Sequence, residues 1–509
     1  MRCCDDDGLV VDDESVSCAD LQDWAAEFAA LTDRVASLFA HPNSQAHSRQ
    51  YLEGLLAPIE RKNGWTIAEH VGEKEPKAIQ RFLNLTVWDA DDLRDLNLDY
   101  VIENLGDPDG VLIADPTGFA KKGSKSAGVQ RQYSGTLGRI DNCQIATFLA
   151  FVNTAGDRVL IDRELYIPQQ TWFGDRARCA EAAIPPDLEF ATRPAQVIAM
   201  ITRCVQAGVE FRWFTADEEF GQNPGLRDYL EHAETAYVMA IPKNTEFTHT
   251  GGDTTEIKNW PERLSPNAWQ RRCCGIGSKG YRVYDWAIID TDRPDHQYLI
   301  RRSVDDGELA FYHCYNPRRE PAGELVRVAG TRWPIEECFQ TAKGDVGLDN
   351  YQVRLYHAWY RHITLAMIAQ SFLAVLAHRH RAKRGTRTRG RRHHTAQHHH
   401  LGTHPRPDRS PAPGRNGPAA APAPDPPDPG RDPTPVQPPR PGQTRHPHRD
   451  AVVDLPPRAP GRRSKTSRPT TPQDPIPSPV VLGACDTILG THRPDFRRSQ
   501  AHEGLIVGV

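Results

Sequence analysis

Apolar residues recur at three- and four-residue spacing through LQDWAAEFAALTDRVASLF (21–39) and SRQYLEGLLAPIERKNGWTIAEHV (48–71), the period of helices that bury one face. Gly64 and Pro76 punctuate this region, which is predicted helical from Asp20 to about Tyr100. Short apolar runs then replace the helical period. GVLIAD (110–115), QIATFLAFVN (144–153), RVLIDRELYIP (158–168), EFRWFTAD (210–217) and AYVMAIP (236–242) read as strands. RPAQVIAMITRCVQAGV (193–209), which stops at Gly208, and GLRDYLEHA (225–233) read as helices among them. From 242 to 327 short strands with turns dominate, as in YRVYDWAIID, QYLIRRSV and LAFYHCY. Helix resumes near Thr331, with Pro334 tolerated in the first turn, and a further helix runs from about Arg354 to Ala377.

Three strands, a helix, a strand, a helix, a strand and a late helix is the order of an RNase H-like domain, so the expected class is α/β. The expected division is a disordered acidic N-terminus (1–19), a helical region that binds DNA ends (20–105) and the first part of the RNase H-like core (106–241). A β-rich insertion (242–327), the C-terminal helices of the core (328–380) and a disordered tail (381–509) follow. The tail holds 25 of the 42 prolines and 10 of the 21 histidines, a composition unable to bury enough apolar surface to offset its ordering entropy. Two readings of it are open: an out-of-frame translation of a GC-rich gene, or a basic arm that touches DNA.

The net charge of −4 hides an asymmetry. Residues 381–509 carry 22 Lys/Arg against 10 Asp/Glu, leaving 40 against 56 in residues 1–380. Phosphate contacts must then come from local basic patches rather than from the overall field. Eleven scattered cysteines without CxxC spacing exclude a zinc ribbon and argue for reduced thiols. The start, MRCCDDDG, is acidic where a signal peptide is basic and then apolar. The longest apolar stretch, Ile363 to Ala377, is interrupted by Thr364, Gln370 and Ser371 and is too short to span a bilayer, so no membrane partner is expected.

Candidate chemistry lies in three acids. Asp115 and Asp217 end the first and fourth core strands, which lie side by side in an RNase H-like sheet, and Glu336 sits on the later helix. In RWPIEECFQTAK (332–343) the spacing of Arg332, Glu336 and Lys343 is about one and two helical turns, which predicts one shared face. Singly, Asp115 would shape a turn, Asp217 would cap a helix and Glu336 would pair with Arg332. Together, carboxylates converging from separate rigid elements suit a pair of divalent ions and phosphoryl chemistry, with hard oxygen ligands favouring Mg²⁺ or Mn²⁺. Lys121, Lys122, Lys125, Arg131 and Arg139 flank a Gly/Ser-rich loop after the first acid, suited to backbone phosphates. Trp260, Trp269 and Trp286, near several arginines, would stack on an extruded base or else fill a core. GIGSKG (275–280) precedes a strand-like segment and is no dinucleotide fingerprint, and the histidines of 393–400 are compositional.

Three blocks carry a family resemblance. IADPTGFAKKGSKSAGVQRQYSGTLGRIDNCQ (113–144), FRWFTADEEFG (211–221) and RWPIEECFQTAKGDVGLDNYQVR (332–354) resemble the three acid blocks of DDE-type bacterial insertion-sequence transposases. The similarity is to insertion-sequence family 701, within the wider family-4 group, and runs from about Tyr51 to His380. It implies Asp115, Asp217 and Glu336 as catalytic metal ligands, and Arg332 and Lys343 as contacts to phosphates near the transposon end. It also implies terminal inverted repeats and target DNA as partners, a homodimer on DNA, and a cytoplasmic, nucleoid-associated enzyme. Two departures are visible. The third block's tyrosine would fall at 329, where this chain has Ala329, and the C-terminal helices expected after 380 are missing. Beside a cleaving and strand-transferring enzyme there stands a truncated remnant that only binds DNA; a metal-free hydrolase with paired carboxylates sits poorly with Arg332 and Lys343.

Overall fold

The computed structural model describes residues 16–277 and 280–396. Five helices come first: α1 (Cys18–Ala36), α2 (Pro42–Leu56), α3 (Gly64–His70), α4 (Lys77–Asn84) and α5 (Ala90–Leu105). Ser17 opens α1 through a capping box with Asp20, so order begins within the segment 1–19 expected to be disordered; residues 1–15 lie outside the described residues.

The strands that follow are β1 (Val111–Ala120), β2 (Gln130–Ser134), β3 (Arg139–Val152) and β4 (Arg158–Leu165). Next come α6 (Arg176–Glu181), α7 (Arg193–Gln206), β5 (Trp213–Ala216), α8 (Glu218–Gly221), α9 (Pro224–His232) and β6 (Ala236–Ile241). β3 pairs antiparallel with β1 and with β4, while β1, β5 and β6 run parallel. The order β4-β3-β1-β5-β6 is the RNase H-like sheet expected from the sequence. β2 adds a hairpin to β3 inside what reads as a Gly/Ser loop; its alternating exposure gives no continuous apolar run to flag it.

The chain from 242 to 327 is β-rich, as expected, with a small two-stranded sheet of β7 (Glu246–Thr248) and β8 (Thr254–Glu256). The longer strands β9 (Gln270–Gly277), β10 (Gly280–Asp290), β11 (His296–Ser303) and β12 (Leu309–Tyr315) continue the core sheet instead of forming a sheet apart. β12 pairs with β6 through Phe311–Tyr315 against Ile241–Tyr237, giving one ten-stranded sheet. Trp260 and Trp286 are buried, and Trp269 lies under the Arg302 guanidinium at 3.9 Å, so these rings serve packing.

Helix returns earlier than the sequence pattern predicts. α10 (Ala322–Thr331) ends at Arg332, and α11 (Pro334–Gly344) starts two residues later. Pro334 has no N–H to give the α10 carbonyls, which breaks the run at that point. Arg332 stands in the joint between the helices, where it and Trp333 keep helical backbone angles. α12 (Tyr356–Ala396) continues beyond the expected boundary at 380, because no proline occurs before Pro405. Near the expected boundary it is tied down by Asp157, which accepts from His378 at 2.6 Å and pairs with Arg381. The remainder of the expected tail, 397–509, lies outside the described residues.

By length and composition Tyr356–Lys383 of α12 could cross a membrane, but 78% of its most apolar stretch is buried against the rest of the protein. Two of the three polar residues that interrupt the stretch are bonded inside. Arg163 donates to Thr364 at 2.9 Å, and Gln370 donates to the Cys338 carbonyl at 2.9 Å.

Candidate active site

Asp115 and Asp217 are placed by strand register. β1 and β5 are parallel, and their last paired residues are Ala114 and Ala216. The two aspartates follow directly, on neighbouring chains about 4.8 Å apart. Buried apolar residues precede both: Val111, Leu112 and Ile113 on β1, Trp213 and Phe214 on β5. Asp217 thus emerges where β5 ends, whereas Asp115, expected at a strand end, lies in the middle of β1, which stays paired with β3 as far as Ala120 and loses only its β5 partner at this point. Asp217 also caps α8, its Oδ1 accepting from the amides of Glu219 (3.0 Å) and Phe220 (3.4 Å), so the capping and the site readings hold together.

Glu336, exposed in the first turn of α11, meets these aspartates in one cleft of about 750 Å³. Burial, then the like charges of Asp217 and Glu336, push the Asp115 carboxyl up to about 8 against the pull of Arg332. Among the described residues Asp115 has no hydrogen-bonding or ion-pairing partner for its carboxylate. Also among them, no set of three or more His, Cys, Asp or Glu side chains is gathered tightly enough to grip an ion as it stands. The cleft lining nonetheless brings four carboxylates together among hydroxyl and amide oxygens, with no His or Cys in it, the hard-oxygen chemistry that suits divalent cations.

Lys343 shares the cleft. Its ammonium donates to Thr117 Oγ1 at 2.8 Å and to the Gly118 carbonyl at 3.4 Å, and burial lowers its pKa while Asp349 and Asp115 oppose the shift. Thr117 joins Thr136 at 3.1 Å, and Thr136 accepts from the Gly118 amide at 3.1 Å, linking the short turn after β2 to the floor of the site. Gly118 is required there: a Cβ would lie 2.1 Å from Ser134 Oγ.

The remaining sequence candidates are placed elsewhere. Arg332 is half-buried and outside the cleft lining, though its charge reaches Asp115. Lys121 lies over the Tyr351 ring at 3.4 Å, and burial lowers its pKa to about 7. Lys125 pairs with Glu181 at 2.6 Å, while Lys122 and Arg131 are exposed beyond the cleft. Ala329 is buried in α10.

Sequence reasoning missed Glu219 and Arg193, which line the same cleft and pair at 2.7 Å. Burial, and then Asp217, raises the Glu219 pKa against the pull of Arg193. The acidic run Asp217-Glu218-Glu219 behind a strand was the available signal; nothing local marks Arg193.

Residues 34–278 match a family model described as DDE superfamily endonuclease, and residues 194–372 match one described as transposase DDE domain. The first span contains Asp115 and Asp217, the second Asp217 and Glu336. The chain is similar to a probable transposase for insertion sequence element IS701 from Microchaete diplosiphon, with 29% identity over 209 residues. That alignment covers 41% of this chain and 52% of the relative, so the chain spans about half the length of the curated protein it matches. Among solved structures, a piggyBac transposase synaptic complex with hairpin DNA aligns over 72% of this chain and 75% of that one, at 10% identity and a TM-score of 0.34.

Proposed function

We propose, from the matches to DDE endonuclease and DDE transposase family models and the likeness to an insertion-sequence 701 transposase, that the chain is a DDE-type transposase that cleaves DNA at the ends of its element and joins the freed 3′-OH to target DNA. The observation that carries this reading is the register of Asp115 and Asp217 on adjacent parallel strands, with Glu336 and Lys343 in the same cleft.

Asp115, Asp217 and Glu336 would hold Mg²⁺ or Mn²⁺, which when bound polarises the attacking oxygen and stabilises the leaving one. The chain's own groups do the rest. Asp217 keeps its position through the α8 cap, so one oxygen is fixed while the other faces the cleft. Lys343, braced by Thr117, presents an ammonium to the transferring phosphate, and Arg332 supplies charge from the joint before α11. Lys122 and Arg131 are outer contacts to the DNA backbone; Lys121 and Lys125 would first have to leave Tyr351 and Glu181. The loop residue Arg61, the exposed Trp65 of α3, and Lys77 and Arg81 of α4 bind the terminal inverted repeat, and a homodimer holds two ends together in the bacterial cytoplasm, at the nucleoid.

The test is a Mg²⁺-dependent strand-cleavage assay on terminal-repeat DNA with Asp115→Asn, Asp217→Asn and Glu336→Gln. Each should abolish cleavage, and Mn²⁺ should raise the melting temperature of the wild type but not of these variants. A variant that cleaves normally removes its residue from the site. One observation favours a second reading, a remnant that binds ends without cutting: buried Ala329 occupies the position of the family's tyrosine. Gel-shift binding with no cleavage under any divalent ion would select it.

A further inference from the structure

We propose that Arg193 is a second phosphate-binding residue of the cleft, held and masked by Glu219, and that it receives a DNA strand from the sheet face opposite to Lys343. This rests on the transposase reading. The opposition of faces follows from β3. Neighbouring residues of a strand point to opposite sides. Thr147 donates to Gln196 of α7 at 2.9 Å, while the Phe148 ring meets Phe339 of α11 at 5.5 Å. α7, which begins at Arg193, and α11, which carries Lys343, therefore cover opposite faces, and both residues line the cleft that holds the acids.

The setting fits a phosphate. The Arg193 side chain is 30% exposed, its Nε faces Glu219 Oε1 at 2.7 Å, and its guanidinium stands 5.7 Å from the Tyr166 ring, another part of the lining. With Nε engaged, the two Nη groups form the edge that matches two phosphate oxygens. Four carboxylates (Asp115, Asp217, Glu219 and Glu336) against two cations (Lys343 and Arg193) leave the lining net negative, so one more usable positive charge bears directly on strand entry. A merely structural ion pair would need both charges. A masked phosphate site needs the arginine and is hindered by the glutamate, so the two substitutions should have opposite signs.

The experiment uses the full chain and a fluorescent duplex carrying the DNA that flanks the gene, with Ca²⁺ replacing Mg²⁺ so that binding is read apart from cleavage. Arg193→Ala should weaken binding about tenfold and lower the slope of log K against log salt by about 1. Arg193→Lys should restore the slope, which guards against misfolding. Glu219→Gln, which keeps an acceptor for Nε and removes the charge, should tighten binding. A methylphosphonate at the contacted phosphate should cost the wild type affinity and leave Arg193→Ala unaffected. Loss of affinity in both Arg193→Ala and Glu219→Gln, with the slope unchanged, would overturn the proposal. A wild type that neither binds nor cleaves this DNA would instead bring down the transposase reading itself.

Discussion

Two groups of acids sit on the same sheet, two strands apart, and their surroundings are opposite. On β4, Asp162 is 2% exposed yet fully partnered: Arg203 reaches it at 2.9 Å and the Arg163 amide at 2.8 Å. Glu164 accepts from Arg203 at 2.7 Å and from the Tyr360 hydroxyl at 2.9 Å. Arg163 in turn binds Asp91 of α5 and Thr364 of α12, so this network laces the helical N-terminal region, the sheet and the long helix together. Where the pairing of β1 with β5 ends the arrangement is reversed: Asp115 lies among the like charges of Asp217 and Glu336. Acids that hold a fold are matched by donors, because an unmatched buried charge costs several kcal/mol. Acids left facing one another have been kept for something the chain itself does not supply.

The contrast can be tested from its largest expected effect downward. Asp217→Asn should cut strand cleavage by about a thousandfold, roughly 4 kcal/mol of barrier, with the melting temperature unchanged because asparagine still caps α8. A comparable fall in stability would place Asp217 among the structural acids. Arg203→Ala should do the reverse, lowering the free energy of unfolding by about 3 kcal/mol while leaving the Mn²⁺-induced rise in melting temperature intact.

A titration in acid comes next. His362 is buried, bonded to the Tyr51 hydroxyl at 2.8 Å and near the Gly347 carbonyl at 3.1 Å. Burial takes its pKa from 6.5 down to about 4. Because the folded value is the lower one, this group's stability is fully present above pH 6.5 and is lost as pH falls through 4. Melting curves of the wild type should therefore fall more steeply over that window than those of His362→Gln, and parallel curves would exclude His362 as the cause. The smallest effect belongs to Lys125→Ala, whose exposed pair with Glu181 should matter to stability by no more than about 0.5 kcal/mol in chemical denaturation.

The ends of the apolar runs marked Asp115 and Asp217, and for Asp217 the run's end is the strand's end; for Asp115 it is not, because β1 continues to Ala120 through pairing with β3, which a local apolar run cannot reveal. Glu336 was legible from the helix that carries it. The break at Pro334 was less so: it places Arg332 in a joint with helical backbone angles rather than within one continuous helix. The loop lysines failed differently: composition marks them as basic, but it cannot reveal that Tyr351 and Glu181 already occupy Lys121 and Lys125. Glu219 and Arg193 meet only through the crossing of α7 over the sheet, a tertiary fact with no local period. For the same reason the pattern from 242 to 327 gave its strands but not their attachment to β6.

That attachment turns the sheet into a ruler. From β5 to β9 there are five strand-to-strand steps, about 24 Å along the ladder. Each strand is hydrogen-bonded to the next, with one irregularity between β9 and β10, so on the proposed transposase reading a duplex resting on the outermost hairpin would be gripped at a set offset from the reactive phosphate, equivalent to roughly seven base pairs. Cutting position would then be measured by carpentry of the backbone, with no hinge to slip.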